Sequence, residues 1–231
     1  MTFRSFAFAT WTAVVAGCAQ QPPAQTATLD TAKVAAVDSS LIRADKARIQ
    51  GSENATVWLV MASDFQCPFC KQFHDGAYKQ IFTDYVATGK VRLAYLNHPM
   101  AAHPHAVVAA EAAMCSGMQS KFWEMHDSLF SSQDRWTMSP NPVPLFDSLA
   151  AGLQLQMTDW RSCMSSHKSR PMIDADNART KAGGVTGTPT FFIANKVSIV
   201  GAQPYREFRD SLDAALMRAG APPAPRSSKT P

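Results

Sequence analysis

Val57-Trp58-Leu59-Val60-Met61-Ala62-Ser63-Asp64-Phe65-Gln66-Cys67-Pro68-Phe69-Cys70 is the stretch whose reading decides the fold. Its first five residues are apolar and rich in strand formers. Beyond it, Phe69, Phe73, Ala77, Ile81 and Tyr85 recur at four-residue spacing, which marks one helix face. Two cysteines therefore stand where a strand turns into a helix. The unpaired N–H groups of a first helical turn, and the helix dipole, favour a thiolate over a thiol there. Cys67 is expected as the solvent-facing, attacking sulfur with a depressed pKa, and Cys70 as the resolving sulfur further inside.

A Cys-x-x-Cys pair can also be half of a zinc site, but that needs two more ligands at comparable spacing. Cys18, Cys115 and Cys163 are isolated. A purely structural bridge is the weaker reading, because two intervening residues close a strained, easily reduced loop. Far downstream, Gly183-Gly184-Val185-Thr186-Gly187-Thr188-Pro189-Thr190-Phe191-Phe192-Ile193 ends a helix in glycines and opens a short strand. Pro189 would cost a ladder bond in a central strand, so it belongs at the strand's first residue or at a cis turn.

These two segments, in this order, resemble the thioredoxin superfamily, whose cis-proline loop packs against the Cys-x-x-Cys pair. Ser63 to Lys71, Gly187-Thr188-Pro189-Thr190 and Phe122-Trp123-Glu124-Met125-His126-Asp127-Ser128-Leu129-Phe130 are similar to its DsbA-like branch of periplasmic thiol–disulfide oxidoreductases. The resemblance covers about Leu41 to Met217. It implies an α/β chain, a thioredoxin fold with an inserted helical domain, and Cys67 and Cys70 as the catalytic pair. It also implies a substrate groove at Phe65, Pro68, Phe69, Thr188 and Pro189, and no cofactor beyond a redox-active Cys67–Cys70 disulfide. The chain departs from the type member of the branch at Phe69, where that enzyme has histidine, and at Thr188, where it has valine. Both changes imply a less stable thiolate and a less oxidising couple, and leave the direction of electron flow open.

The expected order is a strand (56–62), a helix (68–87), a strand (91–97), a long helical stretch (101–182), two strands (190–193 and 197–200) and a final helix (205–219). The first three make a βαβ unit, and the last three a hairpin plus helix. Pro140, Pro142 and Pro144 mark a loop between inserted helices. As domains this gives 1–17 a signal peptide, 18–40 a tether, 41–98 the first half of the fold, 99–184 the insertion, 185–219 the second half and 220–231 a disordered tail.

Arg4 followed by the apolar run Phe6 to Ala16 reads as a secretory signal, too short to span a membrane. Val15-Ala16-Gly17-Cys18 resembles a bacterial lipobox, which implies lipidation at Cys18 and a periplasmic, lipid-anchored protein, with the outer membrane favoured. The segment from Ala19 to Thr28 has no core-forming pattern and would reach about 35 Å extended. Leu29, Val34, Val37 and Leu41 fall at loose helical spacing, as in a docking helix or stalk.

The chain has 231 residues and a formal net charge of +4. That charge is too small and too scattered to argue for nucleic acid, and there is no phosphate-binding loop or dinucleotide fingerprint. Cys115 and Cys163 both fall in the insertion. They are either small buried hydrophobic residues or, in an oxidising compartment, a structural disulfide like the second bridge of some DsbA-like proteins. Such a bridge would close a loop of about 49 residues, worth about 2–4 kcal/mol. His98, His103 and His105 lie close in sequence, but proline and histidine are also common at a strand end entering a helix, so no metal site is assigned. His74 and His126 read as packing or surface residues.

The leading function is thus thiol–disulfide exchange with exported cysteine-containing proteins, reset by a membrane redox partner. The rivals are a lipoprotein that holds copper(I) through Cys67, Cys70 and a histidine, and a redox-inactive folding helper that uses only the groove.

Overall fold

The computed structural model describes residues 38–194 and 196–222. The expected signal segment, Cys18, the tether with Leu29, Val34 and Val37, and most of the tail lie outside these residues. Helix α1 (Ser39–Ala47) opens the described part; the Asp38 carboxylate caps it, accepting from the Ser40 N–H at 2.9 Å. Of the four apolar positions assigned to an N-terminal helix, Leu41 lies in α1.

Five strands form one sheet in the order β1-β3-β2-β4-β5. They are β1 (Ile49–Gln50), β2 (Val57–Ser63), β3 (Val91–Asn97), β4 (Thr190–Ile193) and β5 (Lys196–Val200). β2 and β3 are parallel, with Val57 opposite Val91 and Ser63 opposite Asn97. Helix α2 (68–86) makes the crossover, as parallel neighbours require. β4 runs antiparallel to β2 and pairs with β5 as a hairpin. This is the expected βαβ unit plus hairpin and helix. The strand β1, antiparallel to β3, is an addition: two residues are too few to show a periodicity. Gly51 follows it at φ +98°, and a Cβ there would lie 2.5 Å from the Val91 carbonyl oxygen, so only glycine fits this turn.

Helix α2 differs from the regular helix expected. It begins as α-helix (Pro68–Phe73) and contains two wide π turns, His74–Tyr78 and Phe82–Val86, around Lys79–Ile81. The cause is legible in the spacing. Steps of four residues advance about 40° too far each time on a 3.6-residue helix, so the stripe would wander off the core. Wider turns keep Phe73, Ala77, Ile81 and Tyr85 buried together. Phe69, the first of the series, is 59% exposed.

The insertion between β3 and β4 contains α3 (Ala106–Gly117), α4 (Phe122–Ser131), α5 (Gln133–Trp136), α6 (Val143–Gly152), α7 (Met157–Ser165) and α8 (Arg170–Ala182). Helix α9 (Tyr205–Arg218) closes the fold. Alternation along β3 buries Val91, Leu93, Tyr95 and Asn97. Phe73, Phe191 and Phe208 cluster where α2, the sheet and α9 meet, with ring centroids 4.6–5.2 Å apart. In the insertion, Cys115 on α3 and Cys163 on α7 form a disulfide with Cα atoms 5.8 Å apart. A buried ion pair joins Arg48 to Asp176 on α8, and Asp176 also accepts from the Asn97 N–H and Nδ2. It ties the end of β3 to both the N-terminal helix and the insertion. Among the described residues, no helix is long and apolar enough to cross a membrane.

Candidate active site

Cys67 is the N-cap of α2, with Pro68 at the first helical position, where the missing N–H costs nothing. The Cys67 N–H donates to the Asp64 carbonyl at 3.1 Å, closing the turn that carries the chain from β2 into α2. The two cysteines are free thiols. Cys67 is not solvent-facing as expected: it is 4% exposed and covered by the loop before β4, its Sγ 3.4 Å from the Thr188 carbonyl oxygen. The Thr188–Pro189 peptide bond is cis; Thr188 is half-buried and Pro189 is buried. What faces solvent at this site is Pro68 and Phe69.

The two sulfurs are electrostatically opposite. The Cys67 thiol is pulled down to about 6, chiefly by a hydrogen bond from the Cys70 thiol. Burial opposes this, and the Thr188 side chain and the N–H groups of Cys70 and Phe69 add to it. These two N–H groups belong to the first turn of the helix. The Thr188 hydroxyl lies beside the sulfur without completing a hydrogen bond, and the Thr188 carbonyl faces the same sulfur at 3.4 Å. Burial pushes the Cys70 thiol up, and the neighbouring Cys67 pushes it further. Below Cys70, the Asp64 N–H points at its sulfur at 3.5 Å. The buried hydroxyls of Ser63 and Tyr95 lie nearby without completing a hydrogen bond.

Phe65 does not line the groove. It is 1% exposed, stacked on Tyr95 with centroids 5.0 Å apart and packed against Phe130 at 5.2 Å. β2 ends at Ser63, and the turn that follows directs this apolar ring inward, so Phe65 supports the cysteines from within the core.

Three residues that position the site were not singled out from sequence. The buried Asp64 carboxylate accepts from the N–H groups of Gln66 and Met100 and lies 2.6 Å from His103 Nδ1. Gln66 Oε1 in turn accepts from the His105 N–H at 2.6 Å. Gln133 Nε2, from the insertion, donates to the carbonyls of Phe65 and Cys67 at 2.7 and 3.0 Å. The grouping of His98, His103 and His105 dissolves: His98 faces Thr180, His103 faces Asp64, and His105 faces the Ser139 carbonyl. His74 and His126 are buried, as packing residues would be, but they meet across Asp127.

Comparison with known proteins bears on this arrangement. A Na(+)/H(+) antiporter NhaA 3 of Salinispora tropica is 33% identical over 150 residues, 64% of this chain and 22% of that protein. A Rickettsia bellii protein provisionally named as a protein-disulfide oxidoreductase is 25% identical over 172 residues, 74% of this chain and 63% of that one. The chain thus spans about a fifth to under two thirds of the length of these relatives. The crystal structure of oxidised BdbD from Bacillus subtilis superposes with a TM-score of 0.67 at 22% identity, covering 74% of this chain and 94% of BdbD. The alpha-DsbA1 structure from Wolbachia pipientis gives 0.66 at 22% identity, covering 74% and 92%. Both likenesses establish the fold: a thioredoxin fold with an inserted helical domain. The thioredoxin family model Thioredoxin_4 matches residues 43–214, from α1 into α9 and across both halves of the site, so the chain belongs to the thioredoxin family.

Proposed function

We propose that this protein is a thiol–disulfide oxidoreductase that exchanges disulfides with cysteine-containing exported proteins through Cys67 and Cys70. The observation that carries the reading is the asymmetry of the pair: one sulfur at a helix N-terminus with its thiol lowered to about 6, the other buried with its thiol raised. A pair that only held the fold together would need no such difference.

In the reducing direction, the Cys67 thiolate attacks one sulfur of a substrate disulfide. A Cys67–substrate bond forms, the substrate S–S bond breaks, and the leaving sulfur departs as a thiolate. Cys70 then loses its proton, attacks Cys67 Sγ and releases the second substrate thiol, so the enzyme ends as the disulfide and the substrate as a dithiol. The oxidising direction is the reverse, beginning with a substrate thiolate at Cys67 of the bridged enzyme. No cofactor beyond the Cys67–Cys70 couple is required. The exposed Pro68 and Phe69 and the backbone at Thr188 form the surface along which an extended peptide would lie. A membrane redox partner would reset the couple.

We place the protein in the periplasm, held to a membrane by a lipid on Cys18, with the outer membrane favoured. The support is the apolar run from Phe6 to Ala16 and Val15-Ala16-Gly17-Cys18. Trapping tests the chemistry. Cys70→Ala, expressed in cells and run on non-reducing gels, should accumulate mixed disulfides with exported proteins, and Cys67→Ala should not. Equal trapping by both variants would overturn the assigned roles.

A further inference from the structure

His74 carries a carboxylate oxygen at each ring nitrogen. Nδ1 lies 2.9 Å from Asp75 Oδ1, and Nε2 lies 3.2 Å from Asp127 Oδ1. The residue is 5% exposed. A neutral imidazole has one N–H and one lone pair. One of the two nitrogens would therefore turn its lone pair towards an oxygen that also only accepts. A positive charge between the two acceptors resolves the conflict, and it is either an extra proton or a metal ion.

The surroundings favour a metal. His126 on α4, 1% exposed, brings its Nδ1 to 2.8 Å from the same Asp127 Oδ1. His74, His126 and Asp127 each offer a ligand atom, and these atoms all lie within 4.8 Å of one another. In a tetrahedral zinc site with bonds of about 2.0–2.1 Å, ligand atoms stand about 3.3 Å apart. The cluster needs only small adjustments to reach that spacing. With its proton on Nδ1, His74 donates to Asp75 and aims the Nε2 lone pair into the cluster, the usual carboxylate–histidine–metal arrangement. Asp75 is itself held by Lys71 Nζ at 2.9 Å. The Asp127 side chain is 53% exposed, so a fourth position is open to water.

We propose that His74 Nε2, His126 Nδ1 and Asp127 form a binding site for a divalent transition-metal ion of the zinc class, with water as the remaining ligand. The site uses neither cysteine. His74 lies one turn beyond Cys70 on α2, while His126 and Asp127 belong to the insertion, so the ion clamps the helix that carries the cysteines to the helices packed beside it. No electron transfer is involved: the ion replaces a proton between the ligands.

The test uses the full chain with Cys67 and Cys70 bridged, so that the thiols cannot bind. Cobalt(II) titration followed by visible absorption, and zinc(II) titration by calorimetry, should each give one equivalent per chain, and zinc should raise the melting temperature. His74→Ala and Asp127→Ala should each weaken binding at least ~100-fold and abolish the thermal shift. Asp75→Asn, which alters only the outer carboxylate, should weaken it by about 10–100-fold. Asp127 is half-exposed, so its variant should fold even if a histidine variant does not. The proposal is overturned if the bridged wild type binds no zinc saturably at neutral pH, or if Asp127→Ala binds as tightly as wild type. It is also overturned if nitrogen NMR shows His74 doubly protonated and unchanged by zinc. None of these readouts depends on thiol exchange, so the site stands or falls apart from the proposed activity.

Discussion

Gln133 Nε2 donates to the Cys67 carbonyl at 3.0 Å and to the Phe65 carbonyl at 2.7 Å, so one side chain of the insertion holds both ends of the turn before α2. Gln133 is 4% exposed, so these carbonyls have little water to turn to if it is lost. Gln133→Leu should cost about 1–3 kcal/mol of stability, the usual cost of leaving a buried acceptor unpaired, here the Phe65 carbonyl, since the Cys67 carbonyl keeps the Lys71 N–H at 3.2 Å. It should also slow alkylation of Cys67 by loosening the turn that aims the first N–H groups at its sulfur. Urea denaturation and timed iodoacetamide labelling check the two effects. Unchanged stability together with unchanged labelling would show that the contact does not position the site.

The lowered Cys67 thiol has a pH signature. Alkylation of the reduced protein should rise through a midpoint near pH 6, with Cys70 unlabelled in the native state. Linkage fixes the sign for stability. The folded pKa, about 6, lies below the roughly 8.5 of a free cysteine. The stabilisation of the reduced form is therefore fully present above about pH 8.5 and is lost as pH falls through about 6. Denaturation of reduced wild type and of Cys67→Ala across this range checks it. A stability advantage of wild type over the variant that grows towards acid pH would contradict the assignment.

The Cys115–Cys163 disulfide joins α3 to α7, within the insertion. Replacing both cysteines by alanine should cost about 2–4 kcal/mol, as for a cross-link closing a loop of this size. Insulin reduction should proceed at near wild-type rate, because the bridge lies in the insertion and shares no bond with Cys67 or Cys70. Denaturant midpoints and the reduction assay separate the two effects. A large loss of exchange activity without unfolding would give this bridge a role in the chemistry.

What sequence could show depended on how local each cause was. The parallel pairing of β2 and β3 follows from two apolar runs flanking one helix, and the Cys67–Pro68 cap follows from adjacent residues. The wide turns of α2 were also encoded in the four-residue spacing, which is too long for a regular helix over four successive steps. Phe65 was misread because an aromatic beside a reactive cysteine suits a groove and a core equally well, and only the turn after Ser63 decides which way the ring points. Gln133, 66 residues from Cys67, and the meeting of His74 with Asp127 depend on how the insertion docks. No periodicity within either segment carries that information.

The redox poise follows from the thiolate. A thiolate stabilised in the reduced form makes the disulfide a stronger oxidant, as two reference cases show: DsbA with a thiol near about 3.5 and a potential of about −120 mV, thioredoxin near about 7 and about −270 mV. Cys67, lowered to about 6, falls between them and nearer thioredoxin. The couple should therefore lie between these potentials, more negative than about −120 mV. Phe69 is the reason on the sequence side. It is 59% exposed, and apart from its backbone N–H it offers the sulfur neither charge nor donor. Phe69→His should lower the Cys67 midpoint and raise the potential, each 30 mV corresponding to about 1.4 kcal/mol. Thr188→Val should act in the opposite sense, because it removes the one hydroxyl of the cis-proline loop that lies beside the Cys67 sulfur and pulls its thiol down. Equilibration with glutathione buffers, read as the ratio of bridged to reduced protein, measures all three proteins on one scale. If Phe69→His leaves the potential unmoved while Thr188→Val lowers it, the thiolate is governed from the cis-proline side of the site, and Phe69 does not set the poise.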